Sequence, residues 1–573
     1  MKRLRRSTRD KGPRMVLDSE SASASSDPDA QIDDMDTDPD TSEEECMSRR
    51  GWSPISTSEG MDSEEEKPLD LAWRSKNGKI FWQPTNSVSA NYNRPDMLLK
   101  PGPTHYAVSR VYELSDSFDL FITEEIFAII TNCTNLYGRR KDPQWQDLDG
   151  TTIRAYIGLL LLAGVYRSRG EAIRSLWDAE MGRHIFRATM PSKQFQLISS
   201  MLRFDDPRSR SQRGDGDKLA AIRELWDEWT EQLPRVFNPG KHVCVDEQLL
   251  AFRGRCHFRQ YMPKKPSKYG MKIWATCDVQ TSYAWKLLVY TGRVANSPVE
   301  KQQGQRVVLE MTEGLTGVTV TCDNFFTSYD LGTELLQRQN TLVGTIRKNR
   351  AELPPELLKV QTRAPLSSLF AFTENHTLVS YVPKRGKNVL LLSTKHRGPE
   401  ISNHVKKKPQ IILDYNRCKG GVDTMDAMIA TYSCRRKSKR WPLTLFFNIL
   451  DVSAVNAFIV WTAIDPTWNH GKSNKRRLFL QELGKKLVMP HMSRRQHLPQ
   501  SPGATRLVLQ ARTSLADRDG GSFAHATDTP ATPASRRQCV FCSTRKVCCC
   551  TCIKCGKNVC KEHYRTICSS CFH

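Results

Sequence analysis

The stretch KHVCVDEQLLAFRG, at residues 241–254, combines β-branched and apolar residues with one acid, Asp246, set among them. The composition predicts a β-strand. A carboxylate inside an apolar strand costs free energy unless a partner compensates its charge. Asp246 is therefore a candidate functional residue, and the segments around it indicate what kind of sheet it belongs to.

Further β-rich segments follow this strand, with turn residues between them. They are MKIWATCDV (271–279), AWKLLVYTG (284–292) and GVTVTCDNFF (317–326), and a helix, PVEKQQGQRVVLEMTEGL (298–315), precedes the last of them. Three strands, a helix and a fourth strand are the opening order of an RNase H-like sheet. Residues 351–410 interrupt this core with hairpin-like runs, TLVSYVP and NVLLLST, and PQIILDYN (409–416) is predicted to be a fifth strand.

Amphipathic helices are predicted on both sides of the sheet. Apolar residues recur at i, i+3 and i+4 in 116–138, 151–168 and 192–204, and residues 218–236 form a fourth helix, so we expect a helical domain over about 95–238. Residues 441–464 are long enough to cross a membrane but contain Asn448, Asp451 and Asn456. We interpret them as a buried helix and expect no membrane partner.

Two more positions carry acids where an RNase H-like sheet would bring them together. Asp323 ends the fourth strand, and KGGVDTMDAM (419–428) predicts a helix with Asp423 and Asp426 one turn apart on one face. Acids near a helix N-terminus also suit the helix dipole, which is the simpler explanation for such a pair. Clustered carboxylates repel one another unless a cation lies between them. Mg²⁺ prefers such oxygen ligands, and two Mg²⁺ ions can support phosphoryl transfer.

Charge is distributed unevenly along the 573 residues. Residues 18–70 carry a net charge of −15 and residues 1–17 carry +6, and because the whole chain carries +23, the remaining residues carry +32. We call these remaining residues, 71–573, the basic body of the chain. Such an excess of positive charge favours binding to a polyanion, which is usually DNA or RNA. The acidic N-terminal segment has almost no aromatic residues and is predicted to be disordered.

Cysteines crowd into the C-terminus, where ten of the eighteen lie within residues 539–571. Four pairs of ligands separated by two residues predict two tetrahedral zinc ions that stabilise a small fold. A cross-brace would place Cys539, Cys542, Cys560 and His563 on one ion and Cys552, Cys555, Cys568 and Cys571 on the other. This assignment gives no zinc-binding role to Cys548, Cys549 and Cys550. Ubiquitin ligases of the RING type share this spacing, but that function would leave the acids and the basic body unexplained.

Several long motifs resemble the piggyBac transposase family. They are VDEQLLAFRGRCHFRQYMPKKPSKYGMKI (245–273), TCDNFFTSYDL (321–331), GTIRKNRAELP (344–354), YNRCKGGVDTMDAM (415–428), RRKSKRWPLTLFFNIL (435–450) and the Cys/His tail. The resemblance runs from about residue 95 to the C-terminus. It implies a cut-and-paste DNA transposase that nicks DNA, forms hairpin ends and inserts at TTAA sites, or a domesticated descendant that binds DNA without transposing.

The resemblance also assigns roles to residues. Asp246, Asp323 and Asp423 match the family's catalytic acids, which would bind two Mg²⁺ ions, and Asp426 matches an additional acid. The glycines before Asp423 are expected to permit a sharp entry into the helix. Predicted contacts with double-stranded DNA, at transposon ends and TTAA targets, are Arg253, Arg255, Tyr261, Lys264, Lys265, Lys268, Arg347, Arg350, Arg435, Arg436, Lys439 and Trp441.

The domain organisation that follows is an α/β RNase H-like catalytic core with an inserted subdomain, flanked by a split helical dimerisation and DNA-binding domain, with a C-terminal cross-brace zinc module. The predicted segments are a disordered acidic tail (1–94), the first helical part (95–240), the first core part (241–350), the insertion (351–410), the second core part (411–434), the second helical part (435–500), a linker (501–535) and the zinc-binding domain (536–573). We expect a nuclear homodimer.

Overall fold

A computed structural model of the protein describes residues 72–85, 99–210, 216–263, 265–292, 300–519, 550–551 and 558–559. The helices α1–α15 are His105–Val108, Asp116–Asp119, Glu124–Lys141, Gly150–Val165, Ile173–Leu176, His184–Thr189, Ser192–Met201, Arg223–Val236, Gln303–Met311, Tyr329–Gln337, Gln410–Cys418, Gly421–Thr431, Trp441–Ile464, Lys475–Ser493 and Pro502–Asp519. The strands β1–β15 are Trp73–Arg74, Phe81–Trp82, Gly102–Pro103, Phe237–Asn238, His242–Ala251, Gln260–Tyr261, Tyr269–Asp278, Ala284–Val289, Thr319–Cys322, Thr341–Thr345, Ser367–Phe372, Thr377–Val382, Val389–Ser393, Cys550–Thr551 and Asn558–Val559.

The core is a mixed sheet in which five strands follow the order β8–β7–β5–β9–β10. Strand β7 is antiparallel to both β5 and β8, whereas β9 is parallel to β5 and β10 is parallel to β9. Helix α9 lies in the chain between β8 and β9. The predicted order of three strands, a helix and a fourth strand is therefore confirmed.

The predicted fifth strand at 409–416 is wrong, because these residues begin helix α11. The buried apolar side chains of this helix are Ile411, Ile412, Tyr415 and Cys418, which share one helix face. Pro409 precedes the first turn, where its missing N–H costs nothing. The fifth core strand is instead β10, which precedes the insertion in the chain.

The predicted insertion extends the core sheet. Strands β11, β12 and β13 are antiparallel to one another, and β13 pairs antiparallel with β10. The two hairpin-like runs of the sequence, now β12 and β13, are confirmed as an antiparallel pair. Core and insertion thus form one continuous sheet of nine strands.

Helix α13 is the one helix of the described residues that is long and apolar enough to cross a membrane, and its apolar stretch is 94% buried inside the protein. Its polar residues have partners there. Asn456 hydrogen-bonds both backbone groups of Ala284 on β8, and the Ser453 hydroxyl accepts from Trp229 Nε1 on α8 at 2.9 Å. The prediction of a buried helix is confirmed. Asn456 thus satisfies backbone groups at the edge of the sheet, and Ser453 satisfies the indole N–H of a neighbouring helix.

Two predicted unstructured segments contain ordered elements. Within 1–94, residues 73–82 form the β1–β2 hairpin, and Trp82 is fully buried. Within the predicted linker 501–535, helix α15 packs on α6 and α14 and buries Ala504, Val508 and Ala511. Their spacing of four and three residues is the periodicity of one helix face. Because two of these three buried residues are alanines, the composition of the segment resembles that of a linker.

Candidate active site

Strands β5 and β9 place Asp246 and Asp323 side by side. The two strands are parallel, and Val245 of β5 lies opposite Cys322 of β9. The residues that follow these two, Asp246 and Asp323, are therefore neighbours. Asp323 ends its strand with a tight turn, in which its Oδ1 accepts from the Phe325 N–H at 2.8 Å. The Asp246 carboxylate accepts from the Glu247 N–H, also at 2.8 Å. The predicted convergence of these two acids is present in the fold.

Desolvation and nearby negative charge perturb both carboxyl groups. Desolvation, followed by the charges of Glu247 and Asp323, raises the pKa of Asp246 well above its usual value. Desolvation and Glu247 likewise raise the pKa of Asp323, with Arg347 and Lys272 opposing the rise. Two neighbouring, half-buried carboxylates are an environment that a bound cation would stabilise.

Glu247 is an acid that sequence reasoning did not single out. Its carboxylate lies 3.8 Å from the Nζ of Lys265 and 3.8 Å from the Nζ of Lys272. The Lys272 ammonium also lies 3.7 Å from the centre of the Trp274 ring, and burial lowers its pKa. The sequence feature that could have identified Glu247 is its position next to Asp246, in a strand with few other charges.

Helix α12 carries the other two predicted acids, and it packs directly on β5. A Cβ on Gly421 would lie 2.9 Å from the Cβ of Cys244, which is closer than side-chain carbons approach. Gly420 has φ −85°, a conformation open to any residue. Gly421 therefore serves close packing, and the backbone at Gly420 does not itself require glycine for the entry into the helix.

Asp426 is tied to the sheet, whereas Asp423 is exposed. The Asp426 carboxylate accepts from Gln248 Nε2 at 2.5 Å, and Gln248 Oε1 accepts from Asn448 Nδ2 on α13 at 3.1 Å. Burial raises the pKa of Asp426 to about 6, against the hydrogen bond from Gln248. Asp423 lies on the first turn of α12 with its side chain in solvent.

The predicted group of three metal ligands is not assembled. Among the residues that the structure describes, no three Asp, Glu, His or Cys side chains lie close enough together to hold a metal ion. Asp246 and Asp323 adjoin each other, but Asp423 does not join them. The oxygen donors and the repulsion between the two half-buried carboxylates nonetheless fit a divalent cation such as Mg²⁺, which binds through one or two carboxylates and keeps several waters.

A basic cleft of about 1300 Å³ lies beyond the end of β5. Six of the predicted DNA contacts line the cleft: Arg253, Arg255, Arg435, Arg436, Lys439 and Trp441. Further basic residues that line it were not predicted from the sequence, and they include Arg169, Arg259 and Lys437. None of the described aspartates and glutamates lines the cleft. Such a surface has the charge that phosphate groups attract.

Two of these arginines also make structural hydrogen bonds. Arg435 donates to the Ala251 carbonyl at the end of β5, and Arg436 donates to the Ser168 and Glu171 carbonyls. Burial lowers the pKa of Arg435 to about 10. These contacts fix the segment between α12 and α13 to the sheet and to the helical part of the protein.

Residues 115–458 match the sequence model of the family described as Transposase IS4. The fold is similar to that of a solved piggyBac transposase synaptic complex with hairpin DNA, with a TM-score of 0.66 and 31% sequence identity. That similarity covers 82% of this chain and all of the other. The chain belongs to the piggyBac transposase family.

Two human proteins are also similar in sequence to this chain. The piggyBac transposable element-derived protein 3 of Homo sapiens is 26% identical over 364 residues, which are 59% of this chain and 59% of the relative. The human chimeric ERCC6-PGBD3 protein has the same identity over 59% of this chain and 33% of its own length. The chain thus spans about three fifths of the length of the first relative and one third of the second.

The remaining predicted contacts of this piggyBac family member lie outside the basic cleft. Tyr261 is exposed, with its ring centre 4.9 Å from that of Tyr269, and Lys268 is exposed nearby. Arg347 Nε donates to Asn324 Oδ1 at 3.3 Å, next to Asp323, and Arg350 lines a second groove. Lys264 lies outside the described residues, as do all eight predicted zinc ligands.

Proposed function

We propose that the chain is a cut-and-paste DNA transposase of the piggyBac type, which nicks DNA, forms hairpin ends and transfers strands into TTAA sites. The observation that carries this proposal is the register of β5 and β9, which sets two half-buried aspartates side by side in a piggyBac fold. Without a cation, such a pair is a costly arrangement for a structural core. The pair is therefore better explained by chemistry than by stability.

In the proposed mechanism, Asp246, Asp323 and Asp423 would hold the two Mg²⁺ ions. Bound Mg²⁺ would activate the attacking oxygen and stabilise the leaving one. Asp426 and Gln248 position the first turn of α12 against β5. Recruitment of Asp423 requires a shift of its side chain, or of the helix turn, toward the Asp246–Asp323 pair.

The basic cleft supplies DNA binding in this proposal. Its cations would neutralise phosphates, and Trp441 offers an aromatic face beside them. The half-buried Trp441 ring lines the cleft and packs edge-to-face on the core residue Phe258, with ring centres 5.1 Å apart. Phosphate contacts of this kind give affinity that decreases steeply with salt.

A second candidate function is that of a domesticated DNA-binding protein without transposition. The name of the human relative, a transposable element-derived protein, favours this alternative, as does the exposed Asp423. Retention of all four acids favours the enzyme. The two functions differ in one reaction, since both bind DNA but only the transposase breaks it.

We further propose that the C-terminal cysteines bind two structural Zn²⁺ ions and recognise transposon-end DNA, and that the protein acts as a nuclear homodimer. The spacing of Cys539 to Cys571 supports the zinc sites. Elemental analysis of the full chain tests this assignment. We expect about two zinc ions per chain, with a loss in Cys555→Ser and none in Cys256→Ser, whose cysteine lies outside the motif.

The proposed function is tested with the DNA that flanks the gene. Inverted repeats bounded by TTAA would define the substrate, and the purified chain is then incubated with that substrate and Mg²⁺. The proposal expects nicks at the repeat ends, hairpin products and insertion at TTAA. Tight binding of the repeats with no strand breakage would establish the domesticated alternative.

A further inference from the structure

The β1–β2 hairpin, residues 73–82, is fastened to the loop that follows β10. Lys76 N–H donates to the Leu353 carbonyl and Asn77 N–H to the Ala351 carbonyl, each at 3.1 Å. Trp82 Nε1 donates to the Glu352 carbonyl at 2.9 Å, and its ring is fully buried. These hydrogen bonds fix the position of the loop relative to the hairpin.

The same hairpin is joined to the insertion. Gln83 exchanges two backbone hydrogen bonds of 2.8 Å with Phe372, the last residue of β11. Lys76 Nζ also donates to the Lys348 carbonyl at 2.5 Å. The hairpin therefore bridges the edge of the sheet and the loop at residues 347–353.

Between the hairpin and this loop lies a groove of about 640 Å³. Lys79 of the hairpin lines it together with Arg347 and Arg350 of the loop, and two acids, Asp330 and Glu352, line it as well. Cations thus outnumber acids. The Nε of Arg350 is buried and has no hydrogen-bond partner among the described residues, which is costly unless a ligand accepts from it.

The groove adjoins the candidate active site through Arg347. Its Nε bonds the side chain of Asn324, the residue after Asp323, and its guanidinium lies 5.8 Å from the centre of the Phe325 ring. A nucleic acid strand that passes Asp323 would therefore reach Lys79 and Arg350 next. An anion bound here would offset the excess of positive charge.

We propose that the β1–β2 hairpin is part of the DNA-binding surface, with Lys79 contacting a backbone phosphate in a groove that it forms with Arg347 and Arg350. This inference rests on the proposed function and adds a residue from the N-terminal hairpin to it. The hydrogen bonds of the hairpin hold the loop in place, and Lys79 adds its positive charge to those of Arg347 and Arg350.

The test is the salt dependence of binding to a DNA duplex that contains TTAA, measured by fluorescence anisotropy with the full chain. A single phosphate contact contributes about 0.9 to the slope of log affinity against log salt. Lys79→Ala should reduce the slope by that amount, and Lys79→Arg should restore it. Lys384→Ala is the matched control, because Lys384 is an exposed lysine of the insertion beyond the far end of β12.

The outcomes separate this inference from the function on which it rests. A wild-type slope in Lys79→Ala, or an equal reduction in Lys384→Ala, would overturn the role of Lys79 and leave the transposase proposal standing. Failure of the wild-type chain to bind the duplex would overturn both. A reduced slope in Lys79→Ala alone, restored by arginine, is the result we expect.

Discussion

Gln248 on β5 donates a hydrogen bond of 2.5 Å to the carboxylate of Asp426 on α12. Gln248 is itself held by Asn448 of α13, and both amides are buried. A chain of side chains thus joins the core sheet, the helix that carries two candidate acids and the long buried helix. The position of the acidic helix turn depends on this contact as well as on the packing of Gly421.

The first prediction concerns this hydrogen bond. In a double-mutant cycle with Gln248→Ala and Asp426→Ala, we expect a coupling free energy of about 1.5–3 kcal/mol, the range for hydrogen bonds to charged groups. Chemical denaturation of the full chain measures it. The Asp426→Asn change serves as the control, since asparagine can still accept from Gln248. A coupling near zero would mean that the contact does not fix α12.

The second prediction uses the two adjacent glycines. Gly421→Ala should lower the free energy of unfolding by about 1–3 kcal/mol, because the new methyl group would collide with Cys244. Gly420→Ala is the matched control, since its nearest neighbour would be the Thr424 hydroxyl at 3.9 Å. Thermal unfolding of both variants tests the difference. Equal stability of the two would refute close packing as the reason for Gly421.

The third prediction concerns His376, which is buried beneath Tyr329 with ring centres 3.9 Å apart. Burial lowers its pKa to about 4, with Arg397 adding to the effect and a hydrogen bond to the Tyr329 carbonyl opposing it. The unfolded chain therefore binds the proton more readily between pH 6.5 and 4. The contribution of His376 to stability is retained above pH 6.5 and is lost as the pH falls.

Between pH 7.5 and pH 5 this loss amounts to about 2 kcal/mol. Chemical denaturation at the two pH values should show that His376→Gln loses less stability than the wild type by about that amount. His470→Gln, at an exposed position, controls for the removal of a histidine. An identical pH dependence of His376→Gln and wild type would show that His376 does not titrate in this way.

Several parts of the fold were predictable because periodicity and composition agreed. The four core strands and the buried helix α13 follow this pattern, and Asp246 and Asp323 stood out as acids at apolar strand positions. The strand predicted at residues 409–416 is wrong because a short apolar run fits either a strand or a helix. The side-chain spacing from Ile411 to Cys418 contained the helical signal, and Pro409 marked its start.

Other features depend on contacts between distant segments, which a single sequence does not display. The bond from Gln248 to Asp426 joins residues 178 positions apart, and Arg435 reaches a carbonyl 184 positions away. The β1–β2 hairpin has only four paired residues, so its order comes from the burial of Trp82 against the loop after β10. The predicted roles of the acids and of the DNA contacts remain predictions.

The fourth prediction concerns the acidic segment at residues 18–70, whose net charge is −15. We expect it to compete with DNA for the basic body of the chain. Deletion of residues 18–70 should therefore raise the affinity for non-specific DNA at low salt, and the gain should shrink at high salt because screening weakens the competition. Anisotropy titrations at two salt concentrations measure it. Equal affinity of both proteins at low salt would refute the competition.

The fifth prediction concerns the acids. Asp→Asn changes keep the shape of the side chain and remove the charge that would hold Mg²⁺, so Asp246→Asn, Asp323→Asn and Asp423→Asn should each abolish nicking and strand transfer. End-DNA binding should stay nearly intact, because the basic cleft is unchanged. Asp426→Asn should reduce activity less, since asparagine can still accept the hydrogen bond from Gln248.

The most direct measurement is the excision activity of Asp423→Asn with Mg²⁺ on a TTAA-flanked substrate. Asp423 is decisive because it is exposed in the structure, where a capping role near the helix start is the competing explanation. Asparagine caps a helix as well as aspartate does, so that explanation expects full activity. The catalytic account predicts loss of excision by orders of magnitude with DNA binding retained, and full excision by Asp423→Asn would contradict it.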